Sequence, residues 1–273
     1  MHRIAVLQMT TGIDPAANAA VLVEAIEAAR AGGAKMLFTP EMSGLLDRDR
    51  DRARATGNIV REDEDPVLAQ VREAAAEANL WVALGSLAVA RDDGCWANRA
   101  FVIDATGAIV ARYDKIHMFD VDLADGETWR ESSAYVAGEA VSVVETPLGR
   151  LGLAICYDLR FPALFDLLGR AKCDVIAIPA AFTVPTGAAH WHVLQRARAI
   201  EASAYVVAAA QVGRHGDGRS TFGHSLVVDP WGEIVLDMGG DVAGLGFAEI
   251  DPARITAVRA QLPSLANRRA ITN

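Results

Sequence analysis

The stretch "LGLAICYDLRFP", Leu151 to Pro162, sets the reading of the whole chain. It opens as a continuous apolar run, Leu151-Gly152-Leu153-Ala154-Ile155, the pattern of a strand buried on both faces. It then breaks into Cys156, Tyr157, Asp158, Leu159 and Arg160, and Pro162 marks the start of a helix. A strand buried on both faces belongs to a sheet covered by helices, so the stretch predicts an α/β protein. It also sets a thiol at the mouth of that sheet, close to a helix N-terminus. Such a position lowers a thiol pKa and offers backbone N–H groups to an oxyanion. Free cysteine is more often a small core residue, so position alone leaves nucleophile and core residue both open.

The flanking sequence extends this pattern. Met1 to Met9 reads as a strand, and Asp14-Pro15 as the cap and first residue of a helix that stops at Gly32-Gly33. Lys35 to Thr39 is a strand, Asp65-Pro66 caps a second helix, and Trp81 to Val89 is a further strand. Hairpins are predicted for 97–104 with 108–113 and for 141–145 with 150–155. A helix follows Pro162, a strand covers Asp174 to Ile178, and a helix covers Ala188 to Ser203. Strands follow at 205–210, 223–229, 233–237 and 245–250, with a turn at Asp229-Pro230-Trp231-Gly232. Strand–helix–strand units mixed with hairpins predict mixed sheets. Residues 1–273 read as a single domain without a linker. Asp47 to Asp65 and Asp120 to Gly138 are the longest stretches without periodicity, and loops that long tend to be functional.

The 273 residues are 52% hydrophobic and carry a formal net charge of −9. That supplies a large core and argues against a nucleic-acid or anionic-membrane partner, both of which need a basic field. No stretch resembles a signal peptide, and no apolar run reaches the ~18 residues of a spanning helix. The expectation is a cytoplasmic protein. Three cysteines, Cys95, Cys156 and Cys173, form neither a disulfide framework nor a zinc-site spacing. Only Lys35, Lys115 and Lys172 are lysines among 26 basic residues, so a lysine here stands where a compact ammonium is wanted.

Two further residues follow predicted strand ends. Glu41 lies in "KMLFTPEMSG", where ligand crevices form in α/β sheets. Lys115 lies in "ARYDKIHMFDVD". Each has an ordinary reading, a loop acid or a solvated cation. Together with Cys156 they make a reaction: a carboxylate with a raised pKa to take the thiol proton, and an ammonium to meet an oxyanion. The backbone N–H of Tyr157 is a second oxyanion donor. His190-Trp191-His192 is not a helical zinc pair, because positions i and i+2 face apart. "GHSLV" lacks the second glycine of a nucleophile elbow, and "GGDVAGLG" does not match the dinucleotide fingerprint. Arg160, Arg196, Arg198, Arg214 and Arg219 are candidates for a substrate carboxylate. Their commoner role is a structural ion pair, as between Arg160 and Asp158. His190 is a further candidate substrate contact.

"FTPEMSG", "YDKIHMFD" and "LGLAICYDLRFP" resemble the three signature segments of the nitrilase superfamily, the carbon–nitrogen hydrolases, and the likeness spans nearly the whole chain. The resemblance implies a four-layer α-β-β-α sandwich with two mixed β-sheets, usually dimerised through a helical face. It implies Glu41 as general base and acid, Lys115 as oxyanion stabiliser and Cys156 as nucleophile. A second glutamate falls in "WRESSAYVAG", making Glu131 its counterpart, with Glu127 the alternative. The implied chemistry needs no metal or organic cofactor.

Downstream, "PTGAAHWHVLQRARAIEASAYVVAAAQVGRH" and "STFGHSLVVDPWG" resemble the Nit branch of that superfamily, which holds deaminated glutathione amidases and ω-amidases. In that branch a glutamate commonly follows the tryptophan of "HW"; here it is His192. The implied substrate is a small amide bearing a carboxylate. Alternatives are ω-amidase action on α-ketoglutaramate, an N-carbamoyl amine hydrolase, and a non-catalytic interaction protein on the same fold. A redox thiol is a weaker fourth, since no resolving cysteine lies near Cys156 in sequence.

Overall fold

A computed structural model describes residues 1–123, 126 and 128–269. In chain order the strands of the first half are β1 (His2–Gln8), β2 (Met36–Phe38), β3 (Trp81–Ala90), β4 (Trp96–Ile103), β5 (Ile109–Asp114), β6 (Asp120–Asp122), β7 (Thr128–Arg130) and β8 (Val143–Thr146). The second half adds β9 (Gly149–Leu153), β10 (Val175–Ala177), β11 (Tyr205–Ala208), β12 (Val212–Arg214), β13 (Ser220–Phe222), β14 (Leu226–Val228), β15 (Ile234–Asp237) and β16 (Gly244–Ile250). The helices are α1 (Pro15–Ala31), α2 (Arg50–Thr56), α3 (Pro66–Ala78), α4 (Pro162–Arg170), α5 (Val184–Ala202) and α6 (Pro252–Gln261).

Twelve strands form two six-stranded mixed sheets. Their orders are β16-β1-β2-β3-β4-β5 and β15-β14-β11-β10-β9-β8. Parallel pairing holds the centre of each, β1-β2-β3 in the first and β9-β10-β11 in the second, with antiparallel strands outside. Strand alternation then builds the layers. Ile4, Val6, Met36, Phe38 and Val102 point into one core, shared with Leu151, Leu153, Ala177 and Val207 of the second sheet. Their neighbours Ala5, Leu7, Leu37, Val82 and Phe101 point the other way, onto Leu22, Ile26, Leu68 and Val71 of α1 and α3. Phe165, Leu168, Trp191 and Ala199 of α4 and α5 cover the second sheet. The result is the expected α-β-β-α sandwich. Each fully buried aliphatic side chain contributes about 1.5–3 kcal/mol to holding it.

The local signals work as chemistry dictates. Asp14 accepts hydrogen bonds from the N–H groups of Ala16 and Ala17, and Asp65 from those of Val67 and Leu68. Each satisfies donors that a helix start leaves open. Three expectations need correction. Asp47 to Asp65 is not structureless: Asp49 caps α2 through the N–H of Arg52, and Glu62–Glu64 forms a 3-10 turn. Asp120 to Gly138 holds the β6–β7 hairpin and a 3-10 turn at Glu131–Ser133. Helix α5 starts at Val184, four residues earlier than expected, with Pro185 in its first turn. Gly187 disfavours a helix on propensity, but here its bare Cα admits Phe222; a Cβ would lie 2.3 Å from that ring.

Candidate active site

The two sheets meet at one end, where four chain segments leave strands. Glu41 lies in the turn after β2, and the bulged part of β3 clamps that turn. The N–H of Gly85 donates to Thr39 Oγ1 at 3.0 Å, and Ser86 Oγ accepts the N–H of Met42 at 2.9 Å. Gly85 must be glycine, since a Cβ would lie 2.1 Å from the Thr39 carbonyl oxygen and 2.4 Å from that of Pro40. Lys115 is the first residue past β5, and its N–H donates to the carbonyl of Asn98 on β4 at 2.9 Å. Glu131 begins a 3-10 turn after β7. Cys156 begins the 3-10 turn Cys156–Arg160 beyond β9. Its φ of +48° swings the chain out of strand geometry, a conformation costly for a non-glycine residue and held by its N–H bond to the Pro179 carbonyl at 2.8 Å.

Glu41, Lys115, Glu131 and Cys156 therefore converge. Lys115 Nζ donates to Glu41 Oε1 at 3.0 Å and to Glu131 Oε2 at 2.8 Å. The other Glu41 oxygen accepts the N–H of Ala181 at 2.9 Å. The Cys156 thiol lies beside the Glu41 carboxylate, close enough for that charge to act on it. Glu131 Oε2 also accepts the N–H of Phe119 at 2.7 Å, which holds that glutamate against the Lys115 loop. Glu127 lies outside the described residues.

The electrostatics correct two expectations, an acidified thiol and a Glu41 with a raised pKa. The Cys156 thiol is not acidified. Burial and the Glu41 charge push its pKa well above the ordinary thiol value, against the opposing pull of Lys115 and the Ala181 N–H. The thiol opens a short 3-10 turn, and the expected helix, α4, starts six residues on at Pro162. Burial alone would raise Glu41; the Lys115 ammonium and its hydrogen bonds outweigh that and hold it below its ordinary value. Burial likewise works against the Lys115 ammonium, and Glu131 and Glu41 overcome it, raising its pKa well above the usual. At neutral pH the site is a neutral thiol beside an ionised Glu41 and a charged Lys115. A carboxylate so placed can take the thiol proton as the sulfur attacks.

Two residues that sequence reasoning missed complete this arrangement. Asn98 Nδ2 donates to Glu41 Oε1 at 2.9 Å and to Glu131 Oε1 at 3.1 Å, bridging the carboxylates. The available signal was an asparagine inside the apolar strand "WANRAFVI", where that residue is disfavoured. Asp158 is fully buried. It accepts the Tyr113 hydroxyl at 2.7 Å, the His117 N–H at 3.0 Å, His117 Nδ1 at 2.7 Å and the Ile155 N–H at 2.9 Å. One carboxylate thus ties the cysteine turn to the segment carrying Lys115. Asp158 does not pair with Arg160, as the sequence suggested.

A cavity of about 330 Å³ opens over the four residues and includes Tyr157, whose N–H follows the cysteine directly. Arg160 lines it, lying 5.3 Å over the Phe182 ring, with one guanidinium nitrogen 3.2 Å from His190 Nδ1. His190 itself is exposed and does not line the cavity. Arg219 lines it, paired with Asp217 at 2.6 Å. Arg214 is exposed on β12 and is not brought to the cavity. Arg196 and Arg198 are structural: they donate to the carbonyls of Gly232 and Leu159. Arg48 and Arg50, unforeseen, join the lining from the segment that holds α2. Arg48, Arg50 and Arg160 have no carboxylate within ion-pair distance among the described residues.

The carbon-nitrogen hydrolase family model matches residues 3–260. The chain is 38% identical to the deaminated glutathione amidase of Yersinia enterocolitica over 273 residues, 99% of this chain and 94% of that protein. It is 37% identical to the Homo sapiens protein of the same name, over 97% of this chain and 82% of that one. Among solved structures, the C. elegans NitFhit protein matches at 38% identity with a TM-score of 0.89. That match takes in 98% of this chain but 65% of the longer NitFhit chain. A Saccharomyces cerevisiae member of branch 10 of the nitrilase superfamily matches with a TM-score of 0.85 at 26% identity, over 96% of this chain and 94% of that one. With two mixed sheets, a strand-end thiol and likeness along nearly its whole length, this chain belongs to the carbon-nitrogen hydrolase family.

Proposed function

We propose that this protein hydrolyses the amide bond of deaminated glutathione through a thioester on Cys156. As the Cys156 sulfur attacks the amide carbonyl, its proton passes to Glu41. The developing oxyanion is met by Lys115 Nζ and the Tyr157 N–H. The C–N bond breaks as Glu41 returns the proton to the leaving amine, cysteinylglycine. A water then gives a proton to Glu41 and attacks the thioester; the C–S bond breaks as Glu41 returns the proton to sulfur, which releases 2-oxoglutarate and regenerates the Cys156 thiol. Glu131 and Asn98 position Lys115 and Glu41 throughout.

One observation carries this reading. A thiol and an ammonium share a single buried carboxylate, Glu41, at the base of an arginine-lined cavity. The substrate carries one carboxylate on each side of its scissile amide. Arg48, Arg50 and Arg160 supply cationic donors to receive them. Relatives of that name at 37–39% identity support the substrate.

The test is the rate of 2-oxoglutarate formation from deaminated glutathione and from α-ketoglutaramate, which share that product. A kcat/KM at least tenfold higher for deaminated glutathione is expected. A reversed preference would make the protein an ω-amidase with the same chemistry, and inertness toward both would remove the proposed substrate class.

A cytoplasmic homodimer belongs to the same proposal. Cys95, Cys156 and Cys173 are all free thiols, as in a reducing compartment. Val193 and Ile200 on α5, with Ile234 and Val235 on β15, are large apolar residues left exposed. Light scattering should return twice the 29.0 kDa chain mass.

A further inference from the structure

Outside the lining of the cavity, between α5 and the β14–β15 end of the second sheet, three metal-binding side chains face one another. They are His192 on α5, His224 just before β14, and Asp237 at the end of β15. Their donor atoms all lie within 4.8 Å of one another, and no other such trio of histidine, cysteine and acidic side chains occurs among the described residues. Asp237 Oδ2 is 3.0 Å from His192 Nε2, and Asp237 Oδ1 is 2.9 Å from His224 Nδ1. Sequence spacing gave no hint, because the three come from three separate elements. His192 is also the residue at which the chain departs from its branch's usual glutamate.

We propose that His192, His224 and Asp237 form a mononuclear site for a borderline divalent cation of the zinc or cobalt class. Two imidazoles and a carboxylate are the donor set such ions favour over magnesium or calcium. A tetrahedral ion with bonds of about 2.0–2.2 Å sets its donors roughly 3.3–3.5 Å apart. Measured from the one oxygen Asp237 Oδ2, the two carboxylate–imidazole separations, 3.0 Å to His192 Nε2 and 3.2 Å to His224 Nδ1, are already slightly inside that. The donor atoms lie within 4.8 Å of one another, and His192 is partly exposed on its helix, so its ring has room to turn toward His224.

Two of the three donors are held in place. Asp237 Oδ1 accepts the Gly239 N–H at 2.9 Å, which orients the carboxylate. The His224 ring stacks on Phe222 at 4.5 Å, and its backbone carbonyl accepts the Trp191 indole N–H at 2.7 Å. Trp191 precedes His192, so this bond fixes helix and turn in one frame. The side chains are 26–32% exposed, which leaves the fourth position to water. A coordinating ring nitrogen carries no proton, so in the bound form each imidazole keeps its proton on the far nitrogen.

The test uses the full, untagged chain carrying Cys156→Ala, so that the cavity thiol does not compete. Cobalt(II) titration should give visible d–d bands saturating at one ion per chain, without a thiolate charge-transfer band. Zinc should displace the cobalt. His192→Ala and Asp237→Asn should each weaken binding by about tenfold or more. If Asp237→Asn disturbs folding, His192→Ala on the helix surface decides. No saturable binding, or binding unchanged by His192→Ala, would overturn the proposal and leave the trio as a hydrogen-bonded cluster.

Discussion

Replacing Cys156 by alanine is expected to lower 2-oxoglutarate formation by at least about 10⁴-fold, because the proposed thioester forms on its sulfur. The fold should survive. The turn is held by the backbone bond from the Cys156 N–H to the Pro179 carbonyl, which alanine keeps, and alanine carries the same backbone constraint at a φ of +48°. Equal far-ultraviolet circular dichroism and a melting point within a few degrees would show that the loss is chemical. Glu41→Gln provides the contrasting case. It keeps the thiol but removes its base, so turnover should fall by about 10²–10⁴-fold. Iodoacetamide labelling of Cys156 should persist, since the Glu41 charge is one of the causes that raise the thiol pKa. Residual turnover near the wild-type level in Cys156→Ala would end the thioester mechanism.

Lys115→Met should produce the second large effect, and in two separable readouts. Turnover should drop by at least about 10²–10³-fold, the range for losing an oxyanion donor. Stability at pH 7 should fall by about 3–5 kcal/mol, because the change strands two acidic side chains that Lys115 neutralises. The pH dependence gives the signature. In the wild type, Glu41 sits below its ordinary value of 4.5, so it contributes stability above that pH and loses it as pH falls through the depressed value. Lys115 sits above 10.5, so its contribution is present below that pH and is lost only as pH rises through the raised value. In the variant, burial without the ammonium pushes Glu41 upward. The deficit should therefore be largest between about pH 5 and 10 and shrink near pH 4, where Glu41 takes up a proton and buries without charge. Urea unfolding midpoints at pH 7 and pH 4 measure this directly. An equal deficit at both pH values would mean that Lys115 contributes packing rather than charge.

The legible part of the site was local. Glu41, Lys115 and Cys156 each follow an apolar run that ends in a turn, and a strand's end is where side chains leave the packed sheet for a crevice. The contacts that tune them were not legible, because they join distant parts of the chain. Lys115 and Glu41 are 74 residues apart, and the Ala181 N–H that holds Glu41 is 140 residues from it. Asn98 looks like a flaw in a strand until both carboxylates stand beside it. Asp158 looks like a partner for nearby Arg160 until Tyr113 and His117 occupy its oxygens.

Periodicity and caps were sufficient for the mixed α/β class and for most elements, since alternation, Asp-Pro starts and turn residues act over a few neighbours. Resemblance in three segments supplied the layered fold and the triad order. Only the tertiary structure decided the rest. It put α2 and the β6–β7 hairpin into stretches without periodicity, since those pieces pack by a few side chains rather than along a face. It brought Arg48 and Arg50 to the cavity. It also reversed the thiol's expected acidity: a cysteine's pKa depends on the burial and charges around it in space, and those are settled only when both sheets have closed on it.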